Sequence, residues 1–255
     1  MTPETAEQPT ELYDWEEPSP PTDLIFDDGE PLESNRHRIA MNVLIRSTQQ
    51  MFLERGQTDT FVGGNMFVYY SRNQAMNRDF RGPDFFAALG VESDRERKGW
   101  VVWEEQGRYP DVIVELLSPS TAATDKGVKK DLYETVFKTR EYFVFDPFDA
   151  DSLQGWRLDL SHGYQPLLPN EQGWLWCETL ELWLGTWEGA INREPMTGRC
   201  HWLRLYDREG KLAPLPEESA QQQAEQEKQR AEQEKQRADR LAEKLRELGV
   251  DPSTL

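Results

Sequence analysis

Residues 109–121 read Y-P-D-V-I-V-E-L-L-S-P-S-T. Pro110 and Pro119 bracket a β-branched and aliphatic run, so the spacing predicts a strand from Asp111 to Leu117. Side chains alternate between the two faces of a strand. Val112, Val114 and Leu116 therefore point one way, and Asp111, Ile113, Glu115 and Leu117 the other. Glu115 is then a carboxylate set among apolar neighbours, a costly placement unless a cation or a hydrogen-bond donor meets it. The next segment, D-K-G-V-K-K-D-L-Y-E-T-V-F at 125–137, reads as a helix with Val128, Leu132 and Val136 as its apolar stripe. It offers Lys129, with Asp125 one turn before on the same face and Tyr133 one turn after.

Outward from this centre the pattern is mixed. Ser34 is a plausible N-cap for a helix in which Ile39, Val43, Leu44, Ser47, Met51 and Phe52 recur at helical spacing until Gly56 ends it. Strands are expected at 60–70, at Phe85–Leu89 after Gly82-Pro83-Asp84, at 100–103, and at Glu141–Phe145 ahead of Asp146-Pro147. Helix, strands, helix and strand in that order give an α/β fold with a mixed sheet flanked by helices. Residues 155–206 carry six tryptophans among turn residues. They predict a Trp-rich β-hairpin extension whose aromatics fill a core, a use about three times commoner than a stacking surface for sugars or bases.

The chain has 255 residues and a net charge of -18, unevenly placed. Residues 1–33 hold 11 acids and neither Lys nor Arg, and 217–255 hold 10 acids and 7 bases, which leaves the body between them at -4. The acidic first thirty residues, rich in Pro, cannot bury enough surface to offset ordering, so 1–30 is expected to be disordered. The body is assigned to 31–212. After it, A-E-Q-E-K-Q-R occurs twice, at 224–230 and 231–237. The period of seven puts Ala224, Ala231, Ala238 and Leu245 on one seam of a helix spanning 217–249, either solvated or a weak coiled coil. The acidic balance argues against a protein that coats nucleic acid generally, though not against an enzyme with a local groove. No apolar run reaches the roughly 18 residues of a membrane span, and the amino terminus lacks the layout of a secretory signal, so a cytoplasmic location is expected. Cys177 and Cys200 show no metal-ligand spacing and are read as reduced thiols.

Asp84 supplies a second acid at the start of an apolar strand. Two carboxylates converging with a lysine suit Mg²⁺, with the lysine free to orient water or steady the charged phosphate during phosphodiester cleavage. R-G-P-D at 81–84, P-D-V-I-V-E-L-L-S-P-S-T at 110–121, D-K-G-V-K-K-D-L-Y at 125–133 and E-Y-F-V-F-D-P at 141–147 together resemble the Uma-two type of restriction endonucleases, a family assigned to the PD-(D/E)xK nuclease superfamily. The likeness runs in register over about 31–150 and more loosely to about 206.

The resemblance implies a restriction-endonuclease-like fold and a Mg²⁺-dependent endonuclease acting on DNA. Asp84 and Glu115 would be metal ligands, and Asp84, Glu115 and Lys129 the catalytic set. It also shows a departure: the position two beyond Glu115, where the superfamily usually has its lysine, is Leu117, and Lys129 matches the lysine of D-x-x-x-K-x-x-x-Y instead. Lys126 and Lys130 face other directions at helical spacing. Glu33 and His37 invite comparison with the extra acid some superfamily members carry, although a solvent-facing place for His37 is the commoner outcome. Ser118 and Ser120 read as turn residues and not as a nucleophile, and Gly63-Gly64 as a bulge. A symmetric dimer suits double-strand cutting. The contrasting reading is a catalytically inactive nuclease-fold scaffold whose C-terminal helix recruits a partner.

Overall fold

The computed structural model describes residues 21, 23–26, 29, 32–77, 81–191, 194 and 199–247. The first helix, α1 (Asn35–Glu54), starts where the sequence places it. The Ser34 side chain accepts the His37 amide, and the helix buries Ile39, Ala40, Val43, Leu44, Met51 and Phe52 along one face. Each large side chain on that face contributes about 1.5–3 kcal/mol by leaving water. Gly56 follows at φ +67°, a conformation glycine adopts without a Cβ clash.

The remaining elements are β1 (Thr60–Gly63), β2 (Val68–Tyr69), α2 (Arg72–Met76), β3 (Phe85–Leu89), β4 (Trp100–Val101) and β5 (Val112–Leu116). A helical segment, α3, covers 122–137 and contains two π turns, Asp125–Lys129 and Tyr133–Phe137. Then come β6 (Glu141–Phe145), β7 (Gln154–Asp159), β8 (Gly163–Pro166), β9 (Leu175–Cys177), β10 (Leu182–Gly189), β11 (Cys200–Tyr206) and α4 (Pro216–Glu247). The main sheet has the order β1-β3-β5-β6-β7-β8. Its β5–β6 pair is parallel and its other pairs are antiparallel. The expected 60–70 strand is split: β1 joins the main sheet, whereas β2 pairs in parallel with β4 in a separate ribbon.

Two apolar layers sandwich the main sheet. Phe85, Ala87, Val112, Val114, Leu116, Phe143 and Phe145 face α1 and the small sheet β11-β10-β9. Phe86, Ala88, Ile113, Leu117, Tyr142 and Val144 face Tyr133 and Phe137 of α3. The parity read from the sequence for β5 therefore holds, and Glu115 projects toward α3.

The stripe expected on α3 does not. Val128 is 64% exposed and Val136 42%, while Asp125, Tyr133 and Phe137 are buried. The buried Glu115 needs donors more than the sheet needs two further valines, and the π turns aim 125, 129, 133 and 137 inward.

The Trp-rich region extends the main sheet with β7 and β8 and builds the small sheet from β9–β11. Its aromatics pack on one another, as in the Trp174–Tyr206 stack at 3.9 Å and the Trp176–Trp183 edge contact at 5.1 Å. Glu141 ties the two sheets together. Its carboxylate accepts from Arg157 Nε and Nη2 at 3.0 and 2.9 Å, from the Glu178 and Thr179 amides at 2.8 Å, and from Cys177 Sγ at 3.1 Å. Burial first, then Glu141's charge, pushes the Cys177 thiol well up.

The N-terminal 1–30 expectation falls largely outside the described residues. Within it, the Ile25 carbonyl accepts the Tyr69 hydroxyl and Phe26 meets the Tyr69 ring edge-on at 5.9 Å. At the other end, α4 is pinned through its first turn. Arg204, fully buried, pairs with Glu218 at 2.7 Å, and the Ser219 hydroxyl donates to Glu54 at 2.9 Å. From residue 220 onward it is almost wholly exposed, the alanine seam included. Among the described residues no helix is long and apolar enough to cross a membrane.

Candidate active site

Three elements meet at one end of the strands of the main sheet. Because β3 runs antiparallel to β5, its N-terminal end lies beside the C-terminal end of β5. That topology carries Asp84, just before β3, to Glu115 near the end of β5. The two residues interlock. Asp84 Oδ2 accepts the Leu116 amide at 2.7 Å, and Glu115 Oε2 faces the Asp84 amide at 3.4 Å. A glycine makes this approach possible: a Cβ on Gly64 would fall 2.2 Å from the Asp84 carbonyl oxygen. Gly64 thus serves close backbone approach just after β1.

From the other side α3 closes on Glu115. Glu115 Oε1 accepts the Tyr133 hydroxyl at 2.8 Å and pairs with Lys129 Nζ at 3.1 Å, and Lys129 also pairs with Asp125 at 2.8 Å. Glu115 is 1% exposed, and Asp125 is equally enclosed. The structure therefore brings together Asp84, Glu115 and Lys129 from the sequence reading and adds Asp125 and Tyr133, which the sequence had placed on the same helix face. Leu117, which stands where the resemblance would place a lysine, is buried in the core with Ile113 and Tyr142.

The electrostatics are those of an under-neutralised pocket. Burial, and next the charge of Glu115, holds the Asp84 carboxyl well above the ordinary carboxylate range, against the pull of the Leu116 amide and Lys129. Glu115 is also raised, by burial first, although Lys129 and the Tyr133 hydroxyl oppose it. For Lys129, burial favours the neutral amine, but Glu115 and Asp125 outweigh burial and hold it firmly protonated. Tyr133 is raised by burial and by Glu115. Three carboxylates face one ammonium, so the fully ionised cluster carries -2.

His37 is 3% exposed, contrary to the solvent-facing expectation. Its Nε2 lies 3.1 Å from the Leu117 carbonyl and its Nδ1 2.8 Å from Ser34 Oγ. A carbonyl can only accept, so Nε2 carries the proton and α1 is latched to the end of β5. Glu33 is exposed and adds a repulsive charge felt by Asp84. Ser118 bonds Ser120 Oγ at 2.9 Å and Thr121 Oγ1 at 3.1 Å, which is the expected turn. His162 sits in the β7–β8 turn, 3.0 Å from Asp159.

The sequence model of the Uma2 family, described as "Putative restriction endonuclease", matches residues 9–189. The chain belongs to the Uma2 family. That match takes in every residue of the cluster, and within β10 it ends short of α4. Among solved structures, one titled as a putative nuclease belonging to DUF820 from Anabaena variabilis is similar at 16% identity, over 60% of this chain and 84% of that one, with a TM-score of 0.37. No curated protein matches. The matched residues include Asp84, Glu115, Asp125, Lys129 and Tyr133.

Proposed function

We propose that this Uma2 protein is a Mg²⁺-dependent endonuclease that hydrolyses DNA phosphodiester bonds at the Asp84–Glu115–Lys129 cluster, within the PD-(D/E)xK group of nucleases. The observation that carries it is the charge imbalance: the half-buried Asp84 lies against the buried Glu115, in a cluster whose three carboxylates meet one ammonium and, when ionised, lack two positive charges. A divalent cation has the missing charge, and hard carboxylate oxygens are the donors Mg²⁺ takes. Among the described residues no group of three or more His, Cys, Asp or Glu forms a ready metal cage. Mg²⁺ does not require one, because it commonly keeps several waters and binds through one or two carboxylates. Asp84 and Glu115 would hold it, and bound there it supplies positive charge for the scissile phosphate.

The chain's own groups divide the remaining work. Lys129, held protonated by Glu115 and Asp125, is a donor and a fixed cation, not a general base. It can orient a water or offset charge gathering on a phosphate oxygen. Asp125 and Tyr133 set the Lys129 amine and the Glu115 carboxylate in place. The Leu116 amide fixes the Asp84 rotamer.

Cleavage of a supercoiled plasmid and of a labelled duplex with Mg²⁺ or Mn²⁺ tests the proposal. Glu115→Gln should lose cleavage by about 100-fold or more while remaining folded. The inert-scaffold reading expects no metal-dependent cleavage by the wild type and a change in stability alone. A wild-type protein that cuts neither substrate with any divalent cation would reject the enzyme.

A further inference from the structure

Phe148 is a large aromatic left 62% exposed, in the turn after β6, at the end of the main sheet where β5 also finishes, on the side covered by α1. It follows β6, whose end runs parallel to β5 with Leu116 opposite Phe145 and the Leu117 amide bonded to the Phe145 carbonyl at 2.8 Å. The ring is backed by the residues that latch α1 to β5. The Arg36 guanidinium lies 4.7 Å from its centroid, and the His37 ring 6.0 Å away. Arg36 is itself fixed, donating to the His201 carbonyl at 3.1 Å and lying 5.5 Å from the Trp202 ring.

The turn that presents the ring is equally tied. The Phe148 amide donates to Asp146 Oδ1 at 2.8 Å, the Asp149 amide to the Asp146 carbonyl at 3.0 Å, and Ser152 Oγ to the Asp149 carbonyl at 2.6 Å.

We propose that Phe148 is a stacking platform for an unpaired nucleobase of the strand entering the Asp84–Glu115 site. This rests on the nuclease reading and names its substrate class: DNA that offers a base outside the double helix, such as a single strand or a flap. A ring already packed against its neighbours loses little freedom when a base lands on it, and every base has a π-face to offer. Arg36 beneath the ring adds a cation to the stack. The acids of the turn, Asp146 and Asp149, discourage a phosphate there, so the base and not the backbone is the group that fits.

The test uses the full chain in Ca²⁺ or EDTA, with three probes of equal length: a single-stranded oligonucleotide, its blunt duplex, and a single strand with abasic sites at its centre. The wild type should bind the single strand more tightly than the abasic strand. Phe148→Ala should weaken single-strand binding roughly 5- to 150-fold, the equivalent of ~1–3 kcal/mol for one base–aromatic stack. It should leave the duplex and abasic probes within about 2-fold, and Phe148→Trp should restore binding. Equal loss on all three probes, or no loss on the single strand, overturns the proposal. Single-strand binding that depends on Phe148 in a protein that never cleaves sinks the nuclease reading alone. Cleavage with unchanged Phe148→Ala binding sinks the platform alone.

Discussion

Mg²⁺ should stabilise the wild-type protein, and Asp84→Asn should remove that stabilisation at almost no cost to the metal-free fold. Asn at 84 keeps an oxygen to accept the Leu116 amide, now 2.7 Å from Asp84 Oδ2. It also deletes one of two adjoining like charges; any such pair about 4 Å apart at an effective dielectric of about 20 repels by about 4 kcal/mol when both are ionised. The weaker neutral hydrogen bond, by about 1 kcal/mol, opposes the gain. Burial and the charge of Glu115 push the Asp84 carboxyl upward, which works against that repulsion in the wild type. The metal-free variant should therefore lie within about 1–2 kcal/mol of the wild type, on either side.

A ligand at 100 times its Kd stabilises a fold by about 2.7 kcal/mol. For a body of this size that is roughly 5–11 °C in Tm. Calorimetry of both proteins in EDTA and in saturating Mg²⁺ reads all four values. A wild-type Tm that ignores Mg²⁺, or an identical rise in Asp84→Asn, refutes the metal assignment. Lys129→Met provides contrast. It strands the Glu115 and Asp125 carboxylates and should cost about 3–5 kcal/mol without metal.

The raised carboxyls predict the pH response. Between the ordinary carboxylate range near pH 4 and the raised values of Asp84 and Glu115, the native state binds more protons than the unfolded chain. Metal-free stability in denaturant titrations should thus fall as pH rises through that window, less steeply in Asp84→Asn, and Mg²⁺ binding should strengthen as the protons leave. Gly64→Ala should cost about 2–4 kcal/mol and lower cleavage, because the new methyl meets the Asp84 carbonyl; wild-type melting and activity would contradict the close-approach argument. Glu141→Gln turns a donor toward donors in a site of five hydrogen bonds and should destabilise by about 3–5 kcal/mol. Cys177, enclosed in that knot, should resist an aromatic disulfide reagent until the protein unfolds, and rapid labelling of the native state would show the two sheets parting.

What the sequence made legible were features set by near neighbours. Ser34 and the apolar spacing defined α1, and the period of two in 111–117 correctly turned Glu115 toward the helix that carries its partners. Spacing also put Asp125, Lys129 and Tyr133 on one face. The same spacing misassigned the buried side of α3, because hydrophobic periodicity assumes that apolar residues win the core. Here a buried carboxylate reversed the preference, and Val128 and Val136 went to water. His37 was hidden for a different reason: its acceptor is a backbone carbonyl 80 residues away, and backbone carbonyls leave no mark in side-chain patterns. Glu141 was invisible as an anchor because its donors come from Arg157 and from 177–179, which only the meeting of two sheets brings near.

The clamped base of α4 has a mechanical consequence. With Glu218 and Ser219 bolted to Arg204 and Glu54, the 32 residues of Pro216–Glu247 form a cantilever about 48 Å long at 1.5 Å per residue. Its stiffness comes from helix propensity and its aim from the polar contacts at the root, where Arg46 also pairs with Glu217 and Gln50 donates to the Ser219 hydroxyl. Cutting these contacts together should swing the far tip through a wide arc while leaving the carboxylate cluster untouched, which makes the rod a pointer whose bearing is set inside the body.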